Sequence, residues 1–468
     1  MLHRVAGAPL DFAALRTQLG VPGDFGAAAQ DEARRSAASV HLPDEDATDI
    51  PFVTIDPSGS MDLDQAVHIE RSGDGYRVRY AIADVAAFVA PGGALDVETH
   101  ARGETLYFPD ARVPLHPPEL SEAAASLLPG EIRPAVLWQI DLDAEASVRA
   151  VDVRRARVRS VSRLDYVGTQ QALDRGELPA AIEVLPDVGR ARQVLARRRH
   201  AIDLNLPEQE VEQQAGGYGL ALRAPLPIEQ YNAEISLLTG MCAAQLMLDH
   251  RVGILRTVPP PDDRTVRALR RAAQALGIPW PDGAAPGDVI ATLDASDPKQ
   301  FALVEHAASL LRGAGYSVFA GDPPPQPMHA GIGAPYAHVT APLRRLVDRY
   351  GSEICLAAHA GTDVPDWVRS ALPALPDEMQ HADRLAHEVD RAVIDMTEAW
   401  LLRDQVGHTF HAVVIDADEG AATVVLDDPD VRARCSGSGL AAGERIDVRL
   451  VVADVATREV RFEVAPHG

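Results

Sequence analysis

Cysteine is nearly absent: Cys242, Cys355 and Cys435 are the only three in 468 residues, and they lie far apart. Such spacing excludes a zinc cluster or a disulfide framework and makes a reducing cytoplasm the expected setting. No apolar run reaches about eighteen residues, so no transmembrane helix and no membrane partner are expected. The opening MLHRVAGAPLDFAALRTQLG lacks a continuous apolar core and a clean small-residue cleavage site, which argues against a signal peptide. Positive charge is scarce too, with 44 Lys and Arg against 68 Asp and Glu, a net charge of −24, and Lys299 as the sole lysine. A nucleic-acid binder usually shows a basic patch. Either the polymer is not nucleic acid, or a local arginine-lined channel ending in metal does the binding inside an acidic shell. Overall charge governs solubility and long-range steering more than it governs a buried site.

What the chain does have is gathered in Pro51–Val67, PFVTIDPSGSMDLDQAV. The apolar alternation of Phe52, Val53 and Ile55 stops at Asp56, a Pro/Ser/Gly turn follows, and Asp62 and Asp64 come two residues apart. In extended chain, side chains alternate with period 2, so Asp62 and Asp64 share a face. The turn can fold that face back toward Asp56. Three converging carboxylates are costly without positive charge between them, and a hard divalent cation is the usual answer. The spacing alone fits a solvated Asp/Ser/Gly/Pro loop equally well. The apolar framing, VTI before and AVHI after, favours a site.

FVTIDPSGSMDLDQA resembles the catalytic motif of the ribonuclease II/ribonuclease R (RNB) exoribonucleases: Asp, five residues, Asp, one residue, Asp-Asp. By that resemblance Asp56, Asp62 and Asp64 are the first three carboxylates and bind Mg2+, or alternatively Mn2+. Asp64 is the one most closely tied to catalysis. Gln65 fills the fourth position with a neutral amide, which can bond a ligating water but brings no charge. That departure bears on the second-metal environment and on rate; Gln65→Asp is expected to keep or raise turnover.

The resemblance extends through ARGETLYFPDARVPLHPPELSEAAASLLPGEIRP and makes Tyr107 a base-stacking residue near the catalytic end. It places Tyr166 beside the RNA path and makes Glu234, on the helix Tyr231–Asp249, a reader of the ribose hydroxyl. YAHVTAPLRRLVD, residues 336–348, resembles a second family motif that retains Thr340, Pro342, Arg344, Arg345 and Asp348. Arg344 falls on the catalytic arginine, and Arg345 and Thr340 on the substrate side. Pro342 fits a first helical turn, whose free backbone N–H groups suit an anion. From the residues alone, an ion pair between these arginines and Asp348 is an equal reading. On the helix Glu378–Asp404, Glu388, Asp390 and Arg391 are alternatives for a further RNA-facing group.

The expected class is α+β. Residues 1–45 form a short helical extension, too short for the cold-shock barrels that precede the catalytic domain in the family. Residues 46–405 form an RNB catalytic domain, a mixed curved sheet wrapped by helices. Residues 406–468, five short strands between Gly/Asp turns, form an S1-like OB barrel. The resemblance implies a monomeric, cytoplasmic, metal-dependent exoribonuclease. It would hydrolyse single-stranded RNA from the 3′ end and release nucleoside 5′-monophosphates. The alternatives are an RNB-fold RNA-binding protein whose catalysis is weak or lost through Gln65, and a structural protein that uses its acidic surface.

Overall fold

Along the strand Ile132–Leu142, Val136, Trp138, Ile140 and Leu142 join one buried cluster, while Ala135 and Leu137 between them join another. The period of 2 is therefore kept in a strand covered on both faces. The computed structural model describes residues 10–466 except 215, 216, 295, 296 and 419. Helices α1 (Phe12–Gln18) and α2 (Ala27–Ser39) open the described chain. Strands β1 (Asp46–Asp56), β2 (Gln65–Ser72), β3 (Gly75–Ala83), β4 (Ile132–Leu142) and β5 (Val148–Asp165) close into a barrel. Neighbours are antiparallel except where β5 returns alongside β1 in parallel, with Asp165 opposite Asp56. The expected curved mixed sheet is thus curved to closure.

Arg102 and Arg133 brace loops. Arg102 is buried, donates to the Gly23 carbonyl at 2.6 Å and lies 3.7 Å over the Phe25 ring, which ties the N-terminal segment to the body. Arg133 donates to the Ser126 carbonyl at 3.2 Å.

Outside the barrel lie helices α3 (Pro227–His250), α4 (Leu346–Ala360) and α5 (Leu375–Leu402). Ile235, Leu238 and Cys242 of α3 join the barrel's larger cluster, as do Val347, Tyr350 and Ile354 of α4. An antiparallel pair of strands, Glu208–Gln214 and Gly217–Arg223, reaches out to the tail. Gln209 donates to the Asp430 carbonyl at 2.6 Å and to Glu398 of α5 at 3.1 Å. Its Glu/Gln-rich first strand has no apolar alternation, and the sequence reading does not anticipate it.

The tail forms a second closed barrel of β6 (Thr409–Asp418), β7 (Ala421–Leu426), β8 (Arg432–Ser436), β9 (Arg445–Asp454) and β10 (Glu459–Val464). β8 and β10 pair in parallel and β6 closes on β9, the connectivity of an OB barrel. Among the described residues no helix is long and apolar enough to cross a membrane.

Candidate active site

β1 delivers Asp56 to the mouth of the first barrel, and the chain turns at once. Ser60 N–H closes that turn on the Pro57 carbonyl at 3.1 Å, and Gly59 takes φ +84°, a conformation natural to glycine. Leu63 is fully buried, its N–H donating to Ser126 Oγ at 3.0 Å and its carbonyl accepting from Leu127 N–H at 3.0 Å. With Leu63 pinned inward, Asp62 and Asp64 point the other way and line a cavity of about 470 Å3 together with Asp56. The shared face expected from strand periodicity is there.

Arg344 arrives from nearly three hundred residues downstream, its Nε 3.4 Å from Asp64 Oδ2. The neighbouring Leu343 N–H donates to Asp64 Oδ1 at 2.7 Å. Asp348 organises this turn, accepting from Ala341 N–H at 2.7 Å and from two nitrogens of Arg345 at 2.9 Å each. Helix α4 starts only at Leu346, so Pro342 stands in the preceding turn rather than the first helical turn. A buried carboxylate at residue 348 gathers the N–H groups early, and the sequence reading placed the helix start too far upstream. The N–H groups of Ala341 and Leu343 are spent on protein carboxylates, not left for an anion.

Gln65 joins the two motifs. Its amide donates to the Thr340 carbonyl at 2.7 Å, and its oxygen accepts from Tyr80 Oη and from Ser236 Oγ of α3. An aspartate is shorter and cannot donate to a carbonyl. Gln65→Asp would therefore face the Thr340 carbonyl with charge and loosen the turn that carries Arg344. Contrary to the expectation from the motif alone, it should lower turnover about tenfold and reduce Tm, the cost of a buried polar group left unpaired. Steady-state kinetics alongside thermal melts would check this; unchanged Tm with raised turnover would refute it.

Burial raises the carboxyl pKa of Asp56 to about 7 and of Asp64 to about 8, against the opposing pull of Arg344. Asp56 Oδ2 is a buried oxygen without a protein partner. These are carboxylates waiting for positive charge, and on this count Asp56 and Asp64 fit a divalent cation. Asp62 is engaged elsewhere, accepting from Arg112 Nη1 at 2.5 Å and Tyr107 Oη at 3.2 Å. Among the described residues no three His, Cys, Asp or Glu side chains converge as a ready ligand cage.

Between the unfolded carboxyl pKa near 4 and the folded values of about 7 and about 8, the native state holds more protons than the unfolded one. Metal-free stability therefore falls as pH rises through that window. Melts in EDTA should give a lower Tm at pH 8.5 than at pH 5.5, with added Mg2+ raising Tm more at the higher pH; a flat response would refute the buried-acid account.

Tyr107 and Tyr166 line the same cavity, Tyr107 being 43% exposed. Tyr107 is also the hub of two adjoining spaces. One, about 230 Å3, lies behind Arg344 and Arg345, and another, about 980 Å3, lies between α5, the Glu208–Arg223 strands and the second barrel. Asp390 lines both, which separates it from Glu388 and Arg391. Thr340 and Arg345 stand behind the pocket: Thr340 is buried and offers its carbonyl to Gln65, while Arg345 is committed to Asp348. Glu234 stands apart from the pocket lining. It is buried with an unpartnered Oε2 near Arg192 and Arg199, and burial raises its pKa.

Arg112 is the pocket residue the sequence reading missed. The signal was available: Pro109 and Asp110 are turn formers, and a tight turn there sets Arg112 directly across from Tyr107.

The RNB domain model matches residues 31–356, and the model of the RNase II-type exonuclease C-terminal S1 domain matches residues 408–465. The chain is similar to Ribonuclease R of Aquifex aeolicus, 26% identical over 458 residues, covering 88% of this chain and 63% of that protein. It is also similar to Exoribonuclease 2 of Edwardsiella piscicida, 28% identical over 408 residues, covering 82% of this chain and 61% of that protein. The chain thus spans less than two thirds of the length of either relative. Its fold matches that of Mycoplasma genitalium RNase R in complex with ribose-methylated single-stranded RNA. There the TM-score is 0.84 at 20% identity, covering 97% of this chain and 77% of that one.

Proposed function

Since the chain belongs to the RNB-domain family, we propose that it is a divalent-metal-dependent exoribonuclease. On this reading it hydrolyses single-stranded RNA from the 3′ end to nucleoside 5′-monophosphates. One observation carries the reading: Arg344 and Asp64, remote in sequence, meet at 3.4 Å in a cavity that also holds Asp56 and Asp62. The 3′ polarity comes from family membership, and the RNA substrate is the one named for the relatives.

Asp56 and Asp64 would hold the cation, which when bound supplies Lewis-acid polarisation of the phosphate. Arg344 projects a half-exposed guanidinium into the cavity. There it can take a non-bridging phosphate oxygen and stabilise the charge that grows on it. Tyr107 offers an exposed ring for a base regardless of its identity, worth about 1–3 kcal/mol. Leu343 N–H and Arg344 hold Asp64 in place at the cavity wall. Asp390, on the wall toward the large cavity, repels phosphate and suits hydroxyl or base edges.

A time course on 3′-tailed RNA with and without Mg2+ tests this. Mononucleotides released progressively from the 3′ end are expected. Internal cuts, or release that persists in EDTA, would overturn it. Gln65 supports a second reading, an RNA binder of little turnover, because its neutral amide brings no charge to the site. Tight RNA binding with no nucleotide released would select it.

A further inference from the structure

Arg112 and its partner Asp62 are the two charged side chains of the pocket with no part in the proposed chemistry. Arg112 sits across the strand pair from Tyr107, and its side chain keeps 31% exposure toward the cavity. Asp62 lies between the two, one oxygen taken by Arg112 at 2.5 Å and the other by Tyr107 at 3.2 Å. The remaining contact of Arg112 is a looser approach to Glu122 at 3.7 Å. Gln65 is equally occupied, both ends of its amide being hydrogen-bonded within the protein. Two of the motif's four acid positions are therefore not free to ligate: one is neutral and one already carries a cationic partner.

The charged residues lining the pocket are Asp56, Asp62, Asp64, Arg112 and Arg344, which, with all three acids ionised as a cation requires, leave one net negative charge. One divalent ion plus one phosphodiester brings that to neutrality. Two ions would leave two positive charges unbalanced beside the buried Asp64 and its neighbour Arg344, which is electrostatically unfavourable.

We propose that Arg112 is a substrate-phosphate ligand standing where a second cation would otherwise be required, so that the pocket works with a single divalent ion on Asp56 and Asp64. The inference rests on the exoribonuclease reading and deepens it. A guanidinium has five donors in a planar fork, so Arg112 can keep Asp62 on one edge and take a phosphate oxygen on another. It faces the pocket from the Tyr107 side, and Arg344 faces it from the Asp64 side.

The test uses the full chain and two readouts that need no turnover. Calorimetric titration of metal-free protein with Mn2+ should show one ion lost in Asp64→Asn. In Arg112→Gln the freed Asp62 should tighten Mn2+ binding about tenfold or admit a second ion. Titration of 3′-tailed single-stranded RNA in EDTA should show about tenfold weaker binding for Arg112→Gln, with Arg112→Lys recovering part of the loss. Two Mn2+ ions in the wild-type pocket would overturn the proposal, as would Mn2+ and RNA affinities unchanged in Arg112→Gln. Failure of the exoribonuclease reading is distinct, because wild type would then release no nucleotide at any Mn2+ concentration.

Discussion

Asp64→Asn is expected to bind single-stranded RNA and not cut it. The substitution preserves shape, and an asparagine oxygen can still accept the 2.7 Å bond from Leu343 N–H, so the turn bearing Arg344 stays in place. What disappears is the ability of the most buried of the three acids to ionise and hold a cation next to Arg344. Loss of a single transition-state hydrogen-bond donor elsewhere costs about 10²–10³ in kcat, and losing a metal-holding charge should cost at least that. Single-turnover assays paired with fluorescence anisotropy separate the two effects. Hydrolysis within about tenfold of wild type, a difference of only ~1.4 kcal/mol, would remove Asp64 from the chemistry.

Arg344→Ala is the second large effect, a kcat fall of about 10²–10³ with little change in KM, because the contact matters most as charge develops on the phosphate. Arg344→Lys should recover only part, since an ammonium cannot reproduce the planar fork. A pH signature accompanies it. Arg344 is the chief group opposing the upward shift of Asp56 and Asp64, so its removal should displace the acidic limb of the rate profile to higher pH. A variant with lower activity but an unmoved profile would place Arg344 out of contact with these acids.

The acidic turn of this site was legible from short-range rules, whereas Arg344, Tyr107 and Tyr166 were legible only through the family resemblance. Period-2 alternation up to Asp56, a Gly-containing turn and a one-residue spacer were enough to put Asp62 and Asp64 on one face. The five strands of the tail were readable for the same reason, alternating short runs between Gly and Asp. Contacts across the fold were not legible. Nothing local says that the amide of Gln65 will reach the Thr340 carbonyl, or that Asp348 will gather the turn before α4 and so displace the helix start past Pro342. Glu234 shows the limit from the other side. Its place on α3 was readable, but which flank of the helix faces the pocket is set by packing against the barrel, and Ser236 is the residue turned toward Gln65. Arg112 is legible only through the Pro109–Asp110 turn that sets it across from Tyr107, since a lone arginine in a proline-rich loop has no period of its own.

The large cavity beside Tyr107 has an outer wall made by parts of the chain that are distant in sequence. Leu10, Phe12 and Leu15 of the N-terminal segment share one apolar cluster with Val389, Trp400 and Leu402 of α5 and with Val424, Leu450 and Phe462 of the second barrel. Arg458 reaches back to Gln18 at 2.9 Å. The N-terminal segment and the second barrel therefore both pack on α5, the helix that carries Asp390 into the cavity wall. Loosening that packing would shift α5, and with it Asp390, while leaving the contact between Arg344 and Asp64 untouched.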